Sequence, residues 1–318
     1  MSVGRVLTAV LLATAGWLSR GVPWAAPVAV EASQASASPS TAPVVRTAGL
    51  LVFERTVDGN TDVYVMPASG GPERRLTRDP AEDALPRFAP DGHSIVFSSR
   101  RGGDWRLYEV GVEGGEERRL RENPHREWQA DFSPDGGRIV FVSNADGAEA
   151  LWLQVLASGR ERPLVQHGKR TLLGNPHWSP DGRQIVFSSN YGFPGHRVHL
   201  LDVASGQTRR LSPLDSGACE PRFSRDGAKV AYVRRQHLTR DRSAIVEHEL
   251  ATGRESLIVD WPALNYDPVY TLDGSEIAFV STVAGEFALY RQRLSDGRSR
   301  RLTSGRGPVR HPDYQPQD

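Results

Sequence analysis

A motif that recurs at nearly constant spacing constrains the fold of this chain more than any other feature. Each copy ends in an Asp-Gly pair, as in residues 176–182 (PHWSPDG). Successive pairs are separated by 44, 46, 45 and 47 residues. A fixed period in this range is typical of a repeat architecture, so the chain is predicted to consist of units of about 45 residues. The five pairs begin at Asp91, Asp135, Asp181, Asp226 and Asp273.

The sequence around each Asp-Gly pair predicts four short strands per unit. Asp-Gly supplies the side-chain hydrogen bond and the permissive backbone that a tight hairpin needs. The next strand is apolar at consecutive positions, as in residues 139–142 (IVFV), which is expected when both faces of a sheet are covered. A third strand then leads to a glycine turn such as Gly114-Gly115, and a fourth ends in an Arg-Leu pair such as Arg119-Leu120. Four-stranded units of this period, arranged radially, form a β-propeller.

The two ends of the repeat region predict the number of blades. Residues 51–53 (LVF) match the second strand of a unit, so the missing turn before them falls near Thr47. Residues 312–316 (PDYQP) match a first strand, which puts Gln317 at the turn position. The interval from 47 to 317 is 270 residues, or six periods of 45. We therefore predict an all-β, six-bladed propeller over residues 47–318. Pairing of residues 312–316 with residues 50–55 would close the ring and remove the exposed sheet edges.

The amino-terminal residues have the pattern of a targeting segment. After Arg5, residues 6–18 are apolar but too short to span a bilayer comfortably, and small residues follow. We predict a signal peptide over residues 1–32, with cleavage between Ala26 and Ala37, and an Ala/Ser/Pro-rich tether over residues 33–46. The mature protein is then expected in the periplasm or outside the cell. An uncleaved membrane anchor is the alternative.

Composition and motif searches exclude several classes of protein. Lys+Arg is 39 and Asp+Glu is 38, so the chain lacks the basic excess of a nucleic-acid binder. The single cysteine, Cys219, excludes an intramolecular disulfide and a multi-Cys zinc site. The sequence contains no Gly-x-Ser-x-Gly elbow, His-Glu-x-x-His motif or phosphate-binding glycine loop, so no catalytic residue is predicted.

Two positions in the first strand of each unit are candidates for a binding site, because first strands line the channel of a propeller. The first tier consists of the residue directly before the first-strand proline, or before its counterpart, in each unit. The second tier lies two residues later, so its side chains point to the same face of the strand. A water-filled channel with structural hydrogen bonds is the alternative to a ligand site. The first tier is Leu85, Gln129, Asn175, Glu220, Asp267 and His311, and the second tier is Arg87, Asp131, His177, Arg222, Val269 and Asp313.

Within the first tier, Glu220, Asp267 and His311 come from three consecutive units, so we expect them to converge at one side of the channel. Gln129 and Asn175 would extend this arc, and Trp128, Trp261 and Tyr266 are expected on loops of the same face. Carboxylate and amide oxygens suit Ca²⁺, although His311 is a poor calcium ligand. A basic peptide group is the other ligand considered, and no cofactor is otherwise predicted.

These motifs resemble the repeat of the TolB-type β-propellers, which is roughly Pro-x-(Trp/Phe)-Ser-Pro-Asp-Gly, then Ile-x-Phe, then Arg-Leu-Thr. The resemblance covers residues 47–318. TolB proteins carry an α/β domain before the propeller, reside in the periplasm and bind the lipoprotein Pal. Only the tether lies between the predicted signal and the first unit here, so the resemblance implies a stand-alone TolB-like propeller.

These features are compatible with two functions, one of a binding protein and one of an enzyme. The first is an exported, monomeric and non-catalytic scaffold that binds an envelope or periplasmic protein or peptide. The alternative is a metal-dependent lyase or hydrolase at the channel mouth, acting on a saccharide or peptide. Oligogalacturonate lyases have a similar repeat, but their His-based metal site is not recognisable in this sequence.

Overall fold

The computed structural model describes residues 49–168, 171–192, 195–235 and 241–316. These residues form strands, turns and loops, and none of them belongs to a helix that could cross a membrane. The first twelve strands are β1 (Leu50–Val57), β2 (Asn60–Pro67), β3 (Arg74–Arg75), β4 (Asp83–Phe88), β5 (Ser94–Ser99), β6 (Arg106–Gly111), β7 (Arg118–Arg119), β8 (Glu127–Phe132), β9 (Arg138–Ser143), β10 (Ala150–Val155), β11 (Arg160–Gln166) and β12 (Leu173–Trp178). The others are β13 (Gln184–Ser189), β14 (Arg197–Asp202), β15 (Thr208–Arg210), β16 (Gly217–Phe223), β17 (Lys229–Arg235), β18 (Ser243–Glu249), β19 (Glu255–Val259), β20 (Asn265–Tyr270), β21 (Glu276–Ser281), β22 (Ala288–Arg293), β23 (Ser299–Arg301) and β24 (Val309–Tyr314).

The strands form six antiparallel sheets of four strands, which confirms the predicted six-bladed propeller. Blade 1 has the order β24-β1-β2-β3, and blades 2 to 6 follow in chain order, beginning at β4, β8, β12, β16 and β20. The first strand of each blade contacts the first strands of both neighbouring blades, so these six strands surround the central channel. We call the end of the ring that carries the Asp-Gly turns the turn face, and the opposite end the loop face.

Blade 1 is built from both ends of the repeat region, as predicted. β24 pairs antiparallel with β1, and the partners include Leu51 with Tyr314 and Arg55 with Val309. Gln315 extends this closure, because its Oε1 accepts from the Leu50 N–H at 2.9 Å and its Nε2 donates to the Gly92 carbonyl of blade 2 at 2.8 Å. Positions 47 and 317, where the missing turns were predicted, lie outside the described residues.

The consecutive apolar residues of the second strands are buried on both faces of their sheets. In β5, Ile95 and Phe97 pack in a cluster with Val52 of blade 1, whereas Val96 packs with Phe141 of blade 3. All three β5 residues are at most 1% exposed. A blade is thus covered by its neighbours on both sides, which explains why the apolar run does not alternate with polar residues.

Arginines of the short outer strands bond to backbone carbonyls, both within and between blades. Arg75, Arg210 and Arg301 each donate from Nε to the carbonyl two residues later, at 2.6 to 2.9 Å. A second set reaches the next blade around the ring. It consists of Arg74 to the Val112 carbonyl at 2.8 Å, Arg162 to the Val203 carbonyl at 3.2 Å and Arg300 to the Ser69 carbonyl at 2.7 Å. Part of the arginine content is therefore structural.

Candidate functional site

The first tier has an unusual backbone conformation in every blade. All six residues lie at a β-bulge, where the pairing register of the first strand shifts, and all have a φ between 52° and 59°. This left-handed region is uncommon for residues other than glycine and costs free energy. The sequence analysis missed the bulge, although a polar residue directly before proline recurs in four blades.

The bulges connect every blade to the previous one. At each bulge the first-tier N–H donates to a side chain of the preceding blade, so the bonds form a closed ring around the channel. The six bonds are Leu85 to Glu54 Oε2 at 2.7 Å, Gln129 to Ser98 Oγ at 3.1 Å, Asn175 to Gln129 Oε1 at 2.9 Å, Glu220 to Ser188 Oγ at 3.2 Å, Asp267 to Glu220 Oε2 at 2.7 Å and His311 to Asp267 Oδ2 at 3.1 Å. Glu54, Ser98 and Ser188 belong to second strands and were not predicted as site residues.

Glu220, Asp267 and His311 converge, as the repeat position suggests. One nitrogen or oxygen atom of each lies within 4.8 Å of those of the other two, and all three residues are buried. Arg310 joins them from β24, with its Nε 2.5 Å from Asp267 Oδ2 and its Nη2 3.1 Å from Glu220 Oε1. His311 Nδ1 also lies 3.0 Å from Glu54 Oε1. We call these five residues the closure cluster, because they connect blades 5, 6 and 1 where the ring closes.

Opposite charges hold Asp267 and His311 of the closure cluster in their ionised forms despite burial. Burial alone would raise the pKa of Asp267, but Arg310 and His311 lower it well below its usual range. Burial would likewise lower the pKa of His311, but Asp267 and Glu54 raise it, which favours the imidazolium. Glu220 differs, because burial and the neighbouring Asp267 carboxylate together raise its pKa. The cluster therefore combines three carboxyl groups with two cations.

Arg310 bears on the predicted calcium site. Its guanidinium bonds to the carboxylates of both Glu220 and Asp267 and supplies the positive charge that these groups require when buried. It also lies over the rings of Tyr266 and Phe287, at 4.9 and 5.1 Å from their centroids. This arrangement favours an internal ion cluster over a Ca²⁺ site.

The remaining predicted site residues are placed as follows. Gln129 and Asn175 continue the arc, with Asn175 Oδ1 3.5 Å from Ser188 Oγ. Trp128 and Tyr266 lie within β8 and β20 rather than on loops, and are only 6% and 3% exposed. Trp261 precedes β20, and its ring contacts the rings of two blade 6 residues edge-on, at centroid distances of 5.0 Å. Trp128 and Tyr266 are thus buried within the propeller, whereas Trp261 packs against blade 6 and stays partly exposed.

The second tier adds a hydrogen bond at three of the six blade boundaries. The N–H groups of Phe88, Trp178 and Phe223 each donate to a second-tier side chain of the preceding blade. The acceptors are Asp313 Oδ2 at 2.9 Å, Asp131 Oδ2 at 2.9 Å and His177 Nδ1 at 3.3 Å, respectively. Burial, with the charges of Arg87 and Arg225, lowers the pKa of His177 to about 3. The neutral imidazole can therefore accept a hydrogen bond at Nδ1.

Asp131 should make the stability of the propeller depend on pH. Burial raises its pKa from 3.8 to about 7, so its ionisation destabilises the folded state as pH rises from about 4 to about 7. The Asp131→Asn variant keeps an oxygen acceptor for the Trp178 N–H and removes this ionisation. We expect its melting temperature, relative to wild type, to rise between about pH 4 and pH 7 and then to level off.

Asp135 provides a control, because the stability that it contributes changes with pH in the opposite direction. Its carboxylate accepts from the Ser133 hydroxyl and from the Gly137 N–H, and these bonds lower its pKa. The stability that it contributes is present above its ordinary pKa and is lost as pH falls. Asp135→Asn should therefore lower the melting temperature by nearly the same amount at pH 8 and at pH 4, and by less as pH falls below about 4. If Asp131→Asn followed the same trend, the destabilising role of the buried acid would be wrong.

Comparison with known proteins gives the following matches. The family described as the TolB beta propeller domain (PD40) matches residues 28–217, more than half of the chain. The Tol-Pal system protein TolB of Rickettsia massiliae (strain Mtu5) is 30% identical over 95 residues, which are 30% of this chain and 21% of that protein. The matched segment thus spans about a fifth of that relative's length.

Solved structures with the same architecture include a protein described as TolB and an enzyme. TolB from Acinetobacter baumannii aligns with a TM-score of 0.73 and 19% identity, over 85% of this chain and 67% of that chain. An oligogalacturonate lyase in complex with manganese aligns with a TM-score of 0.57 and 17% identity, over 80% of this chain and 74% of that one. Identities this low indicate a shared fold alone.

Proposed function

Because the chain belongs to the TolB β-propeller family, we propose that it is an exported, non-catalytic scaffold that binds an envelope or periplasmic protein or peptide. The matched relatives are Tol-Pal system proteins, which favours a partner from an envelope assembly of that kind. Export is part of this proposal, and the predicted signal peptide and tether lie outside the described residues. Amino-terminal sequencing of native protein should find a start between Ala26 and Ala37. A start at Met1 or Ser2 would contradict export by cleavage.

The observation that carries the proposal is how the first tier uses its polar groups. Its side chains accept hydrogen bonds from the next blade at three of the six blade boundaries, and the acidic residues and His311 are engaged in the closure cluster. Groups held in such contacts fix the positions of the blades relative to one another. A rigid ring loses little conformational entropy when it binds, which suits a surface that recognises another protein.

Capture and reconstitution of a partner test the scaffold function. The mature chain is used to capture proteins from an envelope fraction of the native host, and each candidate is then purified and mixed with the purified chain. We expect at least one candidate to bind directly, as measured by calorimetry. If no captured candidate binds the purified chain, the scaffold function is wrong.

Two leucines of equal exposure can report which part of the propeller a partner uses. Leu214 lies on the loop face before β16 and is 52% exposed, whereas Leu257 lies on the outer strand β19 and is 53% exposed. A partner that binds one end of the ring should be insensitive to Leu257→Glu. Binding lost only in Leu257→Glu would place the partner on the perimeter and contradict recognition by a propeller face.

The second candidate function is a metal-dependent lyase or hydrolase. It is favoured by the convergence of Glu220, Asp267 and His311 and by the fold that the chain shares with an oligogalacturonate lyase. The contacts of Arg310 with both carboxylates argue against a metal at this position. Turnover of oligogalacturonate that requires added Mn²⁺ and is lost in Asp267→Asn would favour the enzyme.

A further inference from the structure

The second tier differs between the two halves of the ring. In blades 1 to 3 it is formed by Asp313, Arg87 and Asp131, so an arginine lies between two acidic residues. In blades 4 to 6 it is formed by His177, Arg222 and Val269, and this half contains no second-tier carboxylate. Because the pKa of His177 is held at about 3, Arg222 carries the only second-tier charge in this half at neutral pH.

Arg222 is buried without an acidic partner. It is 5% exposed, its Nη1 donates to the adjacent Pro221 carbonyl at 3.1 Å, and its Nε has no hydrogen-bond partner in the part of the chain that the structure describes. Among the described residues, no carboxylate oxygen lies within 4.0 Å of its guanidinium. Arg87, the buried second-tier arginine of blade 2, makes the same bond to its own proline, Pro86, but its charge acts on the carboxyl groups of both Asp131 and Asp313. Arg310, on the first strand of blade 1, bonds to two carboxylates. An unpaired buried cation is costly unless an anion accompanies it, so the surroundings of Arg222 favour a bound anion.

Arg225 places a second cation beside this position, on the turn that follows β16. It occupies the position at which three other turns have Pro90, Pro134 and Pro180. Arg225 is exposed, and within the described ranges no carboxylate oxygen approaches its guanidinium within 4.0 Å. Its charge acts on both His177 of blade 4 and Asp313 of blade 1, which is consistent with a position over the channel mouth.

Arg225 also lines a cavity of about 490 Å³ that opens on the turn face. Its wall combines the apolar Leu272 and Pro316 with two acidic residues, Asp273 and Glu276, and the Glu276 carboxylate lies 2.9 Å from Arg291 Nε. The volume falls within the usual range of ligand sites.

We propose that the channel mouth of blade 5 on the turn face binds carboxylate groups of an acidic peptide segment, through Arg222 inside the channel and Arg225 at its rim. The wall of the adjacent cavity carries Asp273 and Glu276, so the cavity suits uncharged residues of the segment rather than further acidic ones. A guanidinium can form two parallel hydrogen bonds to one carboxylate, so two arginines suit closely spaced acidic side chains. This inference rests on the proposed scaffold function and specifies the chemistry of the partner.

The test measures binding of a fluorescein-labelled hexaglutamate peptide to the full chain by fluorescence anisotropy, with hexaglutamine as the matched neutral peptide. We expect hexaglutamate alone to bind. Arg222→Gln and Arg225→Gln should each weaken its binding at least tenfold. Arg183→Gln is the control, since Arg183 is an exposed arginine of the same face, one blade away, and it should change binding less than twofold. Melting curves of all variants verify that the ring is folded.

Three outcomes would overturn the inference. Equal binding of both peptides would show that charge is not recognised. An equal effect of Arg183→Gln and Arg225→Gln would show attraction to the whole face rather than to a site. Binding of trigalacturonate that depends on Arg222, without hexaglutamate binding, would assign the site to an acidic saccharide.

Failure of this site and failure of the scaffold function can be separated by the capture experiment. A partner captured equally by wild type and by the Arg222→Gln, Arg225→Gln double variant would retain the scaffold function and exclude this site. Absence of any partner, together with Arg222-dependent binding of hexaglutamate, would retain the anion site and exclude the scaffold function.

Discussion

Removal of residues 309–318 is expected to leave a chain that melts at least about 10 °C below the full-length protein or aggregates when expressed. This truncation deletes β24, so β1 loses its partner and exposes an unpaired edge. It also removes Val309 and Tyr314 from the core cluster of blades 6 and 1, and Arg310 and His311 from the closure cluster. Several such losses together should exceed about 5 kcal/mol, which corresponds to a shift of this size for a domain this large.

Two controls separate loss of closure from a general effect of truncation. Removal of residues 317–318 alone leaves every described strand in place and should leave the melting temperature nearly unchanged. Addition of a synthetic peptide of residues 307–318 to the truncated chain should restore part of the lost melting temperature, because the peptide can pair with β1. A truncated chain that melts like the full chain would show that the pairing of β24 with β1 does not stabilise the ring.

Replacement of Arg310 by methionine should cost about 3–5 kcal/mol at pH 8, because it leaves the buried carboxylates of Glu220 and Asp267 without their cation. The loss should be smaller at pH 5, where Glu220, whose pKa is raised, can take up a proton. His311 acts in the same direction, since the stability from its raised pKa is present below its unfolded pKa and is lost as pH rises. Chemical denaturation at the two pH values measures both effects.

The charge balance of the cluster supplies a rescue variant. Glu220→Gln removes one carboxylate, so the double variant Arg310→Met with Glu220→Gln should be more stable than Arg310→Met alone. Such non-additivity is expected for residues in direct contact. Arg300→Met is the control, because Arg300 bonds to the Ser69 carbonyl near the surface and has no role in the cluster. Equal losses from Arg300→Met and Arg310→Met would contradict a special contribution of the buried ion cluster.

The sequence by itself determined the architecture, because the signals of a propeller are local and repeated. Each Asp-Gly pair specifies its own hairpin, and each apolar run such as Ile95-Val96-Phe97 specifies a strand that is buried on both faces. The spacing then gave six blades and paired the two ends of the repeat region in one sheet. Position in the repeat was also sufficient to bring Glu220, Asp267 and His311 together.

Only the tertiary structure decided what those residues do. Arg310 is 43 residues from Asp267 and 90 from Glu220, and strand alternation would place it opposite to His311. The bulge at His311 breaks that alternation, so both residues reach the same carboxylate. Bulges and contacts between blades depend on how six sheets are oriented around one axis. That orientation is set by packing between residues that are far apart in the sequence. The periodic pattern of one repeat carries no information about such contacts.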